Sequence, residues 1–518
     1  PRSTWRARPG GNVISKALLL AVALLAMVLP SGAIASSRQF TILQDDSNLL
    51  NLSGRNKSDA MREIKSLGVD MARTFVVWDR VSPGKDSKRK PAGFDVGNPN
   101  SRGYDWSYYD KYVREARRNG LKVFFTISPP LPDWASEDPG FCPHLVGGYK
   151  NLGISCYWKP KPKVFGQFVK AVARRYRGKV DLYSIWNEPN LEHYLYPQRK
   201  GPRAGTGKVD LGAKRYRELW YEGWKAIARY DPARRRKVLF GEVAAISSPI
   251  DTLYGALCLD EDGNPFRGRM RALQGCSNPR RLEIGGIAVH PYNKDATGSV
   301  FDRPATFDST PMSALYRVHR LTSRAVRFGR MPRSGRGVYI TEFGFQSNPP
   351  DRVRGLGLQA HARAMNESDR LFARDPRVKS VAQFELYDAV ELKKQDIYNT
   401  GLRFISGKLK PAWRAFRMPL VVTRISSDKV EVWGHVRPAS GRVRPSIFAG
   451  RRGKPMRLVR KVTTNPTGIF RVVVRRPGAS RLRWQTRWGR PVTVDGHVSV
   501  QSNRSRVASA GRRIRYLR

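Results

Sequence analysis

Ser184-Ile185-Trp186-Asn187-Glu188-Pro189-Asn190 is the stretch on which the reading of this chain turns. It continues the apolar run Val180-Asp181-Leu182-Tyr183, which reads as a short buried strand, and Pro189 stops that strand because proline cannot donate to a ladder. An amide and a carboxylate, Asn187 and Glu188, therefore emerge together at a strand's carboxyl end. In a barrel of parallel strands that end carries the functional side chains, because loops build a pocket above a rigid floor.

Outward from this motif, Val338-Tyr339-Ile340-Thr341-Glu342-Phe343-Gly344 repeats the arrangement: a short apolar strand delivers Glu342 and a glycine turns the chain. Further strands are predicted at 40–44, 71–77, 121–127, 237–242, 284–289 and 381–386. Helical patterns fall at 58–68, 106–119, 164–176, 213–230, 311–329 and 357–372. Eight strands, most of them followed by a helix, predict an α/β fold, a (β/α)8 TIM barrel. Beyond Trp413 the period changes to apolar–polar alternation with Gly and Pro turns and no intervening helix, which predicts a small C-terminal all-β sandwich. The expected organisation is a signal peptide over 1–35, the barrel over 36–417, the sandwich over 418–500 and a basic disordered tail over 501–518.

Asn187-Glu188-Pro189 after one strand, with Glu342-Phe343-Gly344 ending a later one, resembles glycoside hydrolase clan A, the retaining barrel glycosidases that include families 5 and 39. The resemblance spans roughly residues 40–416. It implies a carbohydrate substrate, Glu188 as acid/base, Glu342 as nucleophile, and neither metal nor other cofactor. It further implies that Arg73 and Tyr292 hold Glu342 ionised, that Asn187 hydrogen-bonds the sugar's 2-hydroxyl, and that His290 either lines the sugar site or is a structural histidine. Retention needs the two carboxyl groups roughly 5 to 5.5 Å apart, one acting as proton donor and the other opposite the anomeric carbon. Trp78, Trp134 and Phe384 are candidates for stacking on pyranose faces, with packing as the alternative for each. Where clan members often carry Trp on strand eight, this chain has Gln383-Phe384-Glu385. The third strand-end acid, Glu242, reads as structural. An inert barrel that binds glycan or cell wall is the alternative function.

The 518 residues hold 95 Lys+Arg against 42 Asp+Glu, a net charge of +53 that points to polyanions. The basic residues are spread along the chain without a nucleic-acid-binding motif, so anionic cell-surface polymers, met through the tail, are the expected partners rather than specific nucleic acid. Arg2, Arg6, Arg8 and Lys16 precede the apolar run 17–30, and Ala33-Ile34-Ala35 offers a cleavage site, the pattern of an export signal. The run falls short of the ~18 to 20 residues of a spanning helix, and no later segment reaches it, so the expected location is extracellular or cell-wall associated without a transmembrane anchor. Cys142, Cys156, Cys258 and Cys276 allow three pairings or four free thiols; the favoured one joins Cys142 to Cys156 and Cys258 to Cys276, each closing a loop locally.

Overall fold

The computed structural model describes residues 39–52, 54–144, 156–200, 209–293, 300–301, 303–389 and 399–489, with short pieces between 493 and 508. The predicted export signal lies outside the described residues, as does most of the predicted tail.

Eight parallel strands close into a barrel: β1 (Phe40–Gln44), β2 (Met71–Val77), β3 (Lys122–Ser128), β4 (Leu182–Ile185), β5 (Val238–Ala244), β6 (Gly286–His290), β7 (Val338–Ile340) and β8 (Val378–Phe384). Each pairs with its neighbours in sequence, and β8 closes on β1 with Gln44 opposite Phe384. Alternate residues point inward, and every strand contributes to one interior layer, Ile42, Met71, Phe124, Leu182, Leu239, Ala288, Tyr339 and Ala382. This apolar floor is what the polar residues one step further along the strands stand on.

The outward-facing residues bury against helices α1 (Gly54–Ser66), α2 (Ser107–Arg118), α3 (Pro162–Arg175), α4 (Leu211–Tyr230), α5 (Pro249–Ala256), α6 (Leu315–Arg327) and α7 (Leu358–Arg374). In α3, Pro162 occupies the first turn, where its missing N–H costs nothing, and Phe165, Phe168, Val169 and Val172 recur at helical spacing on the buried face. Each such side chain contributes about 1.5–3 kcal/mol of burial. The start of α4 is fixed by Asp210, whose carboxylate accepts the Ala213 N–H at 2.7 Å. The sequence reading missed α5, an apolar two-turn helix that ends just before the loop closed by the Cys258–Cys276 disulfide. Both favoured disulfides are present, with Cα atoms 4.7 Å and 5.5 Å apart.

A short helix, α8 (Pro411–Arg417), leads into the sandwich. One sheet orders β9 (Leu420–Arg424), β10 (Lys429–His435) and β13 (Ile469–Arg475); in the other, β11 (Ser446–Gly450) lies between β12 (Arg457–Lys461) and β14 (Arg483–Arg487). Val430, Val432, Ile447, Phe470 and Trp484 form its core. The tail reading needs correction here. Val507–Ala508 pairs with β9, and the Ser502 N–H donates to the Thr486 carbonyl at 2.9 Å, so the sandwich recruits part of 501–518 to satisfy an open edge. The sandwich is pinned to the barrel through α7. Asp369 meets Arg437 and, at 3.0 Å, His435 of the sandwich. Burial alone would raise the Asp369 carboxyl, yet the Arg437 charge and the contact with His435 hold it at about 2. Among the described residues, no helix is long and apolar enough to cross a membrane.

Candidate active site

The site forms at the carboxyl ends of the strands and is built around Arg73. By alternation from Met71 in the floor, Arg73 points into the barrel, where it is fully buried. Its guanidinium uses three sides: Nη1 reaches Glu342 Oε2 at 3.2 Å, Nη2 reaches Glu242 Oε2 at 3.0 Å, and Nε donates to Thr126 Oγ1 at 3.1 Å. Burial opposes its charge, but Glu242 and Glu342 more than offset that and raise its affinity for the proton. The Thr126 hydroxyl in turn donates to Glu242 Oε1 at 3.2 Å. Tyr112 of α2 donates its hydroxyl to the Arg73 carbonyl at 3.0 Å, so strand and helix hold the position together.

Glu188 does not lie on β4, as the sequence reading has it, but on the turn after it. The strand stops at Ile185, and Trp186 and Glu188 adopt left-handed φ values of 69° and 40°. Such conformations cost about 1–3 kcal/mol each and persist where surroundings over-determine them. Here the Trp186 indole N–H donates to the Tyr194 carbonyl at 2.9 Å, the Glu188 N–H donates to the Glu242 carbonyl at 3.0 Å, and Asn190 bonds Ala244 and Ile246. The turn is therefore clamped between its own loop and the end of β5. Asn187 is buried with its Oδ1 unbonded to protein.

Glu342 sits two residues beyond β7, where Tyr292 donates to its Oε1 at 3.0 Å while Arg73 holds Oε2. His290, the last residue of β6, is fully buried, with Nδ1 at 2.8 Å from Glu188 Oε1 and 3.8 Å from Glu342 Oε2. Burial would lower the imidazole, but Glu342 and Glu188 raise it above the ordinary histidine value. One carboxylate oxygen of Glu188, one of Glu342 and a ring nitrogen of His290 all lie within 4.8 Å of one another. That is close enough to share a cation. Both Glu342 oxygens are already engaged, however, and the Arg73 guanidinium is the positive charge the site is built on. A second grouping, Asp133 with Cys142 and Cys156, has its sulfurs in a disulfide and so lacks thiolate ligands.

Of the sequence-derived candidates, the structure brings together Arg73, Asn187, Glu188, His290, Tyr292 and Glu342. Phe384 ends β8 on the inward face, two residues from Ala382 of the floor, and is half-buried at the barrel mouth. Trp78 and Trp134 are corrections. Trp78 lies an odd number of residues from Arg73, hence on the outer face; its ring stacks on Phe168 of α3 at 5.4 Å and meets Trp134 edge-on at 6.2 Å. Trp134 is buried as well and donates its indole N–H to the Pro83 carbonyl at 3.1 Å. Both belong to the core between barrel and helices. The sequence reading undervalued Glu242 and passed over Thr126 and Glu385. Glu385 is buried after β8 at φ 110°; burial, then Asp45, Asp388 and Glu342, push its carboxyl well above the usual carboxylate value. It also passed over an aromatic group on the loops after β3 and β4, where Trp158 stacks on the exposed Phe141 at 4.5 Å and leans on Tyr196 at 5.2 Å.

No protein-family profile matches the chain. Among solved structures it is similar to a family 39 glycoside hydrolase from the gut symbiont Bacteroides cellulosilyticus WH2, at 13% identity over 85% of this chain and 82% of that one, with a TM-score of 0.47. It is also similar to the beta-glycosidase of the hyperthermophile Thermosphaera aggregans, at 12% identity over 75% of this chain and 96% of that one, with a TM-score of 0.40. A third similar structure is a psychrophilic family 10 endo-beta-1,4-xylanase, at 11% identity over 73% of this chain and 96% of that one, with a TM-score of 0.38.

Proposed function

We propose that this chain is an exported retaining β-glycosidase that cleaves an oligo- or polysaccharide by double displacement. The observation that carries the reading is the pairing of Glu188 and Glu342, with an oxygen of each within 4.8 Å, at the carboxyl end of a closed parallel barrel, too close for the wider gap of about 6.5–9.5 Å that inversion needs. Glu188 protonates the leaving oxygen while Glu342 attacks the anomeric carbon. The resulting glycosyl ester is then hydrolysed by water that gives its proton back to Glu188. Arg73 and Tyr292 each hold one oxygen of Glu342 and so aim it, leaving it little freedom to rotate. The unbonded Asn187 Oδ1 is suited to accept from a sugar hydroxyl. Two disulfides accord with export into an oxidising space. The test is a panel of aryl glycosides and polysaccharides with NMR of the first-formed product. The expected anomer is the one present in the substrate; the opposite anomer, or no sugar release from any member, removes the proposal.

A second, compatible reading concerns the positive charge. A cleft of about 920 Å3 between the ends of α2 and α3 is lined by Arg114, Arg117, Arg118, Arg174, Arg175 and Lys179 with Asp110, and Glu115 pairs with Arg114 and Arg118. Basic residues at helix ends also complement the helix dipole, so the cleft alone does not decide between capping and binding. It suits an anionic cell-surface polymer. Reversing Arg174 and Lys179 to Glu is expected to reduce retention on heparin, used as probe, more than reversing the exposed Arg320 and Arg327 of α6. Equal reductions assign the binding to overall charge and remove the cleft.

A further inference from the structure

Glu242 is the acid that double displacement does not use. Both its oxygens are occupied, Oε2 by Arg73 and Oε1 by Thr126, and it is fully buried, so it presents no atom to a substrate. Yet the chain goes to some length to place it. Gly241 and Glu242 both have positive φ, 114° and 48°, and the ladder between β5 and β6 slips by one residue between Gly241 and Val243. That slip is a bulge, and it aims Glu242 into the barrel. Only glycine fits the first position, since a Cβ there would stand 2.5 Å from the Ala288 carbonyl oxygen. The N–H freed by the slip is satisfied by the Tyr216 hydroxyl of α4 at 2.6 Å.

We propose that Glu242 is a positioning residue that holds the charge of Arg73 in balance while Glu342 changes charge. The inference rests on the reading of Glu342 as nucleophile. In the resting site one buried guanidinium faces two carboxylates. When a Glu342 oxygen bonds to the anomeric carbon and the leaving oxygen takes the Glu188 proton, Glu342 becomes a neutral ester. Without Glu242, Arg73 would then be a buried cation with no carboxylate paired to it, Asp46 acting only from beyond salt-bridge reach, a state that the protein interior strongly disfavours. With Glu242 in place the pair stays neutral through both steps. Glu242 also divides the pull of Arg73 between two carboxylates.

Other groups face Glu342 as well: Arg73 from β2, Glu188 from the turn after β4, His290 and Tyr292 from β6 and the residues after it, and Glu385 after β8. The test must therefore isolate Glu242. In Glu242→Gln, Arg73 has only Glu342 to satisfy, and the 13C carboxyl titration of Glu342, assigned by its disappearance in Glu342→Gln, is expected to move to lower pH. The acidic limb of kcat/KM is expected to follow it, with kcat/KM falling roughly 10- to 100-fold, and Glu242→Asp, which keeps the charge, is expected to restore both in part. Should Gln at 242 prevent folding, Thr126→Val strips a hydrogen bond from Glu242 and gives a smaller shift of the same sign. An unmoved Glu342 titration in a folded variant overturns the proposal. The carboxyl titration needs no substrate, so it decides this point even where the glycosidase assay fails.

Discussion

Glu342→Gln is expected to fold as the parent does and to lose roughly 10⁴- to 10⁶-fold in kcat, the scale on which removing a covalent nucleophile acts in other enzymes. Glutamine preserves the shape of the side chain, so Tyr292 can still donate to the amide oxygen. What it removes is the negative charge facing the anomeric carbon and the ability to form an ester. The stability cost should be modest because Arg73 retains Glu242 as its countercharge, and the melting temperature is the control that separates chemistry from folding. Glu342→Gly takes the argument further. The space left beside Arg73 admits a small anion, and azide, attacking the β-glycoside from the vacated side in a single displacement, is expected to restore turnover and give the inverted glycosyl azide. A β-azide, or unchanged hydrolysis in Glu342→Gln, would mean that Glu342 is not the nucleophile.

The parts of this architecture that the sequence carried are those written in local period and in proline. Alternation along 71–77 places Arg73 inward, and the same count places Trp78 outward, where the structure has it; that error came from reading proximity to the strand end and ignoring parity. The ends of β4 and β7 were legible through Pro189 and Gly344, but not that Glu188 sits in a left-handed turn beyond the strand. That conformation is imposed partly by the turn's own loop, at Tyr194, and partly by bonds to Glu242 and Ala244 at the end of β5, which only the closed barrel supplies. Glu242 illustrates the limit most clearly. Its position at a strand end was visible, whereas its partners Arg73 and Thr126 lie 169 and 116 residues away. The sandwich's use of Ser502, Val507 and Ala508 was hidden for a different reason. Pairing at an edge asks for backbone hydrogen bonds and little side-chain hydrophobicity, so a Ser/Arg-rich segment leaves no trace of it in an apolar pattern.

Glu188→Ala should separate the two chemical steps rather than abolish both. Glu188 and His290 share one hydrogen bond at 2.8 Å, which aims the carboxyl that is to protonate the leaving oxygen. For a sugar or alkyl leaving group, which cannot depart as an anion, loss of the donor is expected to lower kcat/KM roughly 10²- to 10⁴-fold. A dinitrophenyl leaving group needs no proton, so with that substrate the first step stays near its parent rate. The second step, which needs Glu188 as base, slows, and the ester on Glu342 accumulates as a burst. The sign of the pH effect follows from the same proton. In the parent, kcat/KM falls as rising pH removes the proton that Glu188 donates, and that basic limb is expected to vanish in Glu188→Ala because no donor remains to lose. Azide entering from the Glu188 side meets the ester on the face opposite Glu342, so the expected product is the β-azide, the reverse of the Glu342→Gly result. Rescue of both variants with the same anomer would place the two carboxylates on one face of the sugar and end the double-displacement account.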